Sequence, residues 1–200
     1  MWKMTMKKRS KKRSKATLYV FSGPSGVGKD TVLSLLLSRS DLVKSVSATT
    51  RAPREGEVDG VDYYFVSKEE FERLIETGEM LEYTVYAGNY YGTPKAPVER
   101  WLSEGSDVIL KIEVDGFSQI KKLMPESVGI FLLPPSKEEL ERRLRARGTD
   151  SEEAVLRRLE TALNELSCAE NYDWRVVNDD LDLCVDEILA FLKKQKKNSR

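Results

Sequence analysis

Gly23-Pro24-Ser25-Gly26-Val27-Gly28-Lys29 satisfies the spacing G-x-x-x-x-G-K. It lies between an apolar run, Thr17-Leu18-Tyr19-Val20-Phe21, and a segment carrying Val32, Leu33, Leu35, Leu36 and Leu37. That order, buried strand, glycine loop, apolar helix, constrains the chain more than any other feature in it. Glycines let consecutive backbone N–H groups converge on an anion, and the helix N-terminus behind them adds positive potential. Lys29 then reaches the outer phosphates of a nucleoside triphosphate. The candidate nucleotide contacts are Gly23, Pro24, Ser25, Gly26, Val27, Gly28, Lys29, Asp30 and Thr31. The motif expects a metal-binding hydroxyl directly after its lysine, and this chain has Asp30 there. A carboxylate at that point can bind a cation directly or through water, or repel phosphate, so the sequence leaves the metal ligand open.

Strand and helix patterns alternate beyond the loop. Val43 to Ser47 reads as a short strand, and from Ala48 to Pro97 the texture changes to dense Arg, Pro, Gly and Tyr. Within that stretch Tyr63-Tyr64-Phe65-Val66 and Met80 to Val85 read as strands. Ser67-Lys68-Glu69-Glu70 is a capping box opening a helix that Gly78 closes. Tyr86 to Pro94 reads as a loop. Alternation then resumes: a helix before Gly105, strand Val108–Ile112, helix 116–123 and strand Val128–Leu132. A second capping box, Ser136-Lys137-Glu138-Glu139, starts a helix to Arg147, and another helix follows from about Ser151. Strand Arg175–Asn178 and helix 180–195 end the pattern. Repeated strand–helix units predict an α/β fold, a doubly wound parallel sheet covered on both faces, with a small inserted subdomain.

Charge is unevenly distributed. The 33 basic and 33 acidic side chains balance, but the first fifteen residues hold eight Lys or Arg and the last eight hold five. The segment between therefore carries 20 basic against 33 acidic groups, and must gather its arginines locally to handle phosphate. The first fifteen residues are expected to form a disordered, solvated tail without nucleic-acid or membrane contact. The chain has no histidine, which excludes imidazole acid–base catalysis and histidine metal sites. Cys168 and Cys184 match no disulfide framework or metal spacing. No apolar run approaches a membrane span, and a cytoplasmic location is expected.

Several motifs in register point to the phosphate acceptor. Ser47-Ala48-Thr49-Thr50-Arg51-Ala52-Pro53-Arg54-Glu55-Gly56-Glu57, Asp62-Tyr63-Tyr64-Phe65, Gly88-Asn89-Tyr90-Tyr91-Gly92-Thr93, Pro134-Pro135-Ser136, Arg147-Gly148-Thr149 and Val177-Asn178-Asp179-Asp180 together closely resemble the guanylate kinase family, from about Thr17 to Leu192. The resemblance implies a P-loop kinase core (16–47, 98–135 and 159–200), a GMP-binding insertion (48–97) and a helical lid (136–158). It implies transfer of the γ-phosphate of ATP to GMP, and to dGMP, with Mg²⁺ accompanying ATP, by a monomer or homodimer. Arg51 and Arg54, with the hydroxyls of Tyr63 and Tyr91, are then the cage for the GMP phosphate. Glu82 accepts from guanine N1–H and the 2-amino group, Ser47 and Thr93 donate toward O6, and Glu113 is a second base-contacting acid. Arg143, Arg147 and Arg158 close on the ATP phosphates, and Asn178 lies near adenine. Arg142 and Arg145 are expected instead in solvated Glu–Arg pairs, Glu138 with Arg142 among them. The chain departs from the family's usual pattern at Lys111, where an acid is typical, and at Asp115, where Gln is. Lys111 can pair with Glu113 or Asp30, or approach phosphate. A non-catalytic module of similar fold and a kinase for a sugar phosphate are the rival readings.

Overall fold

The computed structural model describes residues 15–146 and 151–198. The expected tail, apart from Lys15, and the expectations for Arg147-Gly148-Thr149 lie outside the described residues. β1 (Leu18–Ser22), β2 (Val43–Lys44), β7 (Val108–Lys111), β8 (Val128–Leu133) and β9 (Trp174–Val177) form a parallel sheet in the order β2-β7-β1-β8-β9. Successive side chains of a strand point to opposite faces, so a doubly covered strand must be apolar throughout. Tyr19, Phe21, Ile109, Ile130 and Leu132 face one way, onto Val32, Leu33 and Leu36 of α1 (Lys29–Ser38) and Val185 and Ile188 of α7 (Leu181–Asn198). Leu18, Val20, Val108, Leu110 and Phe131 face the other, onto Val98 of α3 (Lys95–Ser103) and Phe117 and Ile120 of α4 (Val114–Leu123). Each such buried side chain contributes about 1.5–3 kcal/mol.

A second sheet is built from β3 (Ser47–Thr49), β4 (Tyr63–Phe65), β5 (Met80–Tyr86) and β6 (Asn89–Pro94), in the order β4-β3-β6-β5. It packs Ala48 and Met80 around Phe71 of α2 (Lys68–Glu76). Two sequence expectations are corrected here. The strand expected over Val43–Ser47 divides: Ser45 N–H still donates to Ile109 O at 3.1 Å, and the chain then leaves the parallel sheet for the other. The loop expected over Tyr86–Pro94 is instead β6, paired antiparallel with β5 across a two-residue turn at Ala87-Gly88, both with positive φ. The usual Asn-Gly or Asp-Gly signal for that turn is missing, and this hid the strand.

α5 (Lys137–Arg145) and α6 (Glu152–Ser167) pack together through Leu140, Leu144, Val155 and Ala162. Ser67, Ser136 and Ser151 cap α2, α5 and α6 by accepting from Glu70, Glu139 and Ala154 N–H. Such a cap contributes about 1 kcal/mol. The glutamates of the two predicted boxes turn instead to arginines, Glu70 to Arg73 and Glu139 to Arg142 and Arg143. Arg142 thus pairs with Glu139 rather than Glu138, while Arg145 pairs with Glu141 and Glu152. No helix among the described residues is long and apolar enough to cross a membrane.

Candidate active site

The loop from Gly23 to Gly28 closes the C-terminal end of β1. Gly28 is the N-cap of α1 with φ +97°, in the left-handed region, and gives no side-chain acceptor to the helix amides, which therefore stay available to an anion. A Cβ there would also stand 2.7 Å from Asn178 Nδ2. That amide donates to Val27 O at 2.8 Å, so Asn178 braces the loop from beneath. Lys29 folds back, its ammonium donating to Gly23 O and, at 3.1 Å, to Pro24 O. Thr31 is exposed on the first turn of α1.

Arginines from both helices of the α5–α6 pair reach this loop. Arg143 donates to Asn178 O at 3.0 Å and to Val27 O at 3.4 Å while paired with Glu139. Arg158 donates to Ser25 Oγ at 3.2 Å. Two turns along α6, Glu165 accepts from Ser25 N–H at 3.0 Å. Burial, and next the charge of Glu113, push the Glu165 carboxyl up to about 7, against the Ser25 N–H and Lys29. Sequence reading missed Glu165; the contact spans 140 positions and has no local signature.

Lys111, the last residue of β7, lies level with Phe21 of β1 and so meets the loop at the sheet's carboxyl edge. Of the three partners open to it in sequence, it takes Asp30, its ammonium donating to the carboxylate. Partial desolvation opposes ionisation of Asp30, yet Lys111, with Lys29 and Lys44, holds that carboxyl below its ordinary value.

The second sheet carries the other predicted cluster. Glu57, not foreseen in the sequence, accepts from both terminal nitrogens of Arg51, at 2.8 and 2.9 Å. It also accepts from Arg54 N–H at 2.7 Å, so one carboxylate shapes the turn carrying both arginines. The Arg51 guanidinium lies 5.5 Å from the Tyr63 ring centre and has Tyr91 as a further hydrogen-bond partner. Tyr63 and Tyr91 meet edge to face at 6.1 Å. The Arg54 side chain is exposed. Arg51, Tyr63 and Tyr91 are thus brought together, while Arg54 joins them only through its backbone N–H to Glu57.

Glu82 and Thr93 are cross-strand partners on β5 and β6, and both are buried. The Thr93 hydroxyl donates to Glu82 Oε1 at 2.6 Å. Burial pushes the Glu82 carboxyl up to about 7, Thr93 pulling it down and the charge of Glu113 adding to the rise. Its other oxygen faces α4: a Cβ on Gly116 would stand 2.6 Å from Glu82 Oε2. This close approach brings the second sheet against the α4 N-terminus, where exposed Glu113 is the N-cap. Ser47 opens β3, half-buried. The site thus holds a loop of backbone amides with a lysine, an arginine cage, and a buried carboxylate between hydroxyl and helix.

A family model described as guanylate kinase matches residues 15–195. The chain is 54% identical over 180 residues to a guanylate kinase of Streptococcus thermophilus, covering 89% of this chain and 86% of that protein. It is 52% identical over 188 residues to one of Thermus thermophilus, covering 94% and 84% respectively. A crystal structure of guanylate kinase from Anaplasma phagocytophilum superposes with a TM-score of 0.75 at 38% identity, covering 92% of this chain and 87% of that one.

Proposed function

The chain belongs to the guanylate kinase family, and on that premise we propose that it transfers the terminal phosphate of ATP to GMP, giving ADP and GDP. The observation that carries the acceptor's identity is the Glu82–Thr93 pair. A buried carboxylate needs donors, and guanine supplies two on adjacent positions, N1–H and the 2-amino group. Adenine presents an acceptor at N1 and has no 2-amino group, so it gives the carboxylate no donor beyond Thr93, a mismatch that discriminates by about 10⁴ or more in sites built to hydrogen-bond their substrate. Ser47 serves O6 and Glu113 is a second acid toward the base; Thr93, expected to donate to O6, gives its one hydroxyl proton to Glu82 Oε1 and so orients the carboxylate instead.

Arg51 and Arg54, with Tyr63 and Tyr91, hold the GMP phosphate. A guanidinium fork that already grips the Glu57 carboxylate has the shape to grip a phosphate. The amides of residues 23–29 and the ammonium of Lys29 hold the ATP phosphates, and Asn178 keeps the loop in shape. Arg143 and Arg158 approach from α5 and α6 and bring charge to the transferring phosphoryl group, together with Arg147. In this reading 48–97 is the acceptor subdomain and 136–158 the lid, which closes to exclude water.

No protein base is required. The second pKa of a phosphate monoester is about 6, so the acceptor oxygen is already anionic at neutral pH. Positioning and charge stabilisation do the rest. A nucleotide-borne Mg²⁺ takes phosphate oxygens, waters and one or two carboxylates, and the ionised, exposed Asp30 carboxylate beside the loop fits that donor set. Among the described residues no cluster of three His, Cys, Asp or Glu would bind a metal unaided. When bound, the ion neutralises charge between the phosphates.

The test is ADP release from ATP with GMP, dGMP, AMP or buffer alone. GMP and dGMP are expected to stimulate turnover and AMP to do so about 10⁴-fold less well. Turnover that no nucleotide stimulates would leave a non-catalytic binding module.

A further inference from the structure

We propose that Asp30 and Lys111 act as one charge-neutral pair at the mouth of the phosphate loop, with Lys111 a positioning residue that makes a fixed carboxylate compatible with a polyphosphate ligand. The inference rests on the reading that ATP binds this loop.

Asp30 lies in the first turn of α1, one residue past Lys29, with a side chain 82% exposed. A helix N-terminus favours a carboxylate, but it favours phosphate for the same reason, and the two repel. An unpaired acid here therefore works against nucleotide binding. Lys111 removes that conflict from the adjacent strand of the sheet: it ends β7, beside β1, 81 positions away in sequence. Its side chain is only 27% exposed, and its ammonium donates to Asp30. Lys29, and Lys44 at the end of β2 beside β7, add their charge to that of Lys111 on this carboxylate. Among the described residues Lys111 is bonded to Asp30, and the charges of Lys29 and Lys44 also favour the ionised form of that acid. The acid stays ionised and oriented, able to meet the metal ion that travels with the nucleotide, while its own repulsion of phosphate is cancelled by the partner.

Two residues that act as one unit show a characteristic pattern in a double-mutant cycle. ADP affinity is measured on the full chain for the wild type, Asp30→Asn, Lys111→Met and the double variant, in EDTA and again with Mg²⁺, with the thermal midpoint of each free protein as the check on folding. In EDTA, Lys111→Met is expected to weaken ADP binding about tenfold, because Asp30 is left uncompensated. Asp30→Asn is expected not to weaken it, and adding Asp30→Asn to Lys111→Met to restore affinity to within about threefold of wild type. The gain in affinity on adding Mg²⁺ is expected to shrink in Asp30→Asn. Loss of the same affinity from Lys111→Met whether or not Asp30 is present would mean that Lys111 acts directly on phosphate, and overturns the proposal. So does an unchanged Mg²⁺ gain in Asp30→Asn. These measurements involve no acceptor. Normal ADP binding without GMP-stimulated turnover refutes the kinase reading alone, and no ADP binding by the wild type refutes both.

Discussion

The side-chain amide of Gln119 on α4 grips both polar groups of the Tyr83 backbone, accepting from its N–H at 3.2 Å and donating to its C=O at 2.8 Å. β5 is the edge of its sheet, and Gln119 does there what a neighbouring strand would do. The contact ties the parallel-sheet core to the sheet that carries Glu82, one residue before Tyr83. Gln119→Leu keeps the bulk and removes both bonds. The expected loss is about 1 kcal/mol of stability by urea unfolding, since net hydrogen-bond contributions at an exposed edge are modest. The KM for GMP is expected to rise while the KM for ATP holds. Equal shifts in both would show that the clasp does not act on the acceptor sheet.

Gly116→Ala tests the close packing of Glu82 against α4. A methyl group would sit 2.6 Å from Glu82 Oε2 and 3.1 Å from Ile112 Cδ1, so the carboxylate must move. Overpacking of this kind costs about 1–3 kcal/mol. A fall in the preference for GMP over AMP is expected beyond any loss of stability. Unaltered selectivity in a folded variant would show that the carboxylate does not read the base.

The Glu82 carboxyl, pushed up to about 7, links both binding and stability to pH. Its ionised form is the one that accepts from guanine, so affinity for GMP is expected to weaken as pH falls from 8 to 6. The phosphate of GMP titrates near there too, and Glu82→Gln separates the two: the residual pH dependence in that variant belongs to phosphate. For stability the sign is opposite. Between the ordinary value of 4.5 and about 7 the folded chain binds the proton and the unfolded chain does not, so stability falls as pH rises through that window. The loss is on the order of 3 kcal/mol and is complete above it. Urea midpoints at pH 5 and 8, wild type against Glu82→Gln, give the measurement.

Arg51→Lys keeps the charge and loses the fork. Glu57 now meets both guanidinium nitrogens, and an ammonium cannot reproduce that planar pair. Charge-assisted hydrogen bonds contribute about 1.5–3 kcal/mol each, so kcat/KM for GMP is expected to fall roughly tenfold to a hundredfold. A variant within twofold of wild type would mean that charge alone is used.

The sequence by itself determined the phosphate loop, the strand–helix alternation around it and the serine caps at Ser67 and Ser136, because each depends on residues a few positions apart whose spacing matches a backbone period or a turn. It also determined the family, through Arg51, Arg54, Tyr63, Glu82, Tyr91 and Thr93 in register. Only the tertiary structure decided which groups face one another. Lys111 chose Asp30 over Glu113 because β7 lies beside β1 in parallel register. Glu165 met Ser25 because α6 folds back over the loop, and Gln119 met Tyr83 because α4 lies along an open strand edge. Such pairings come from packing, where the burial of apolar faces fixes the geometry and the polar groups take the partners left within reach; one-dimensional spacing carries no record of them.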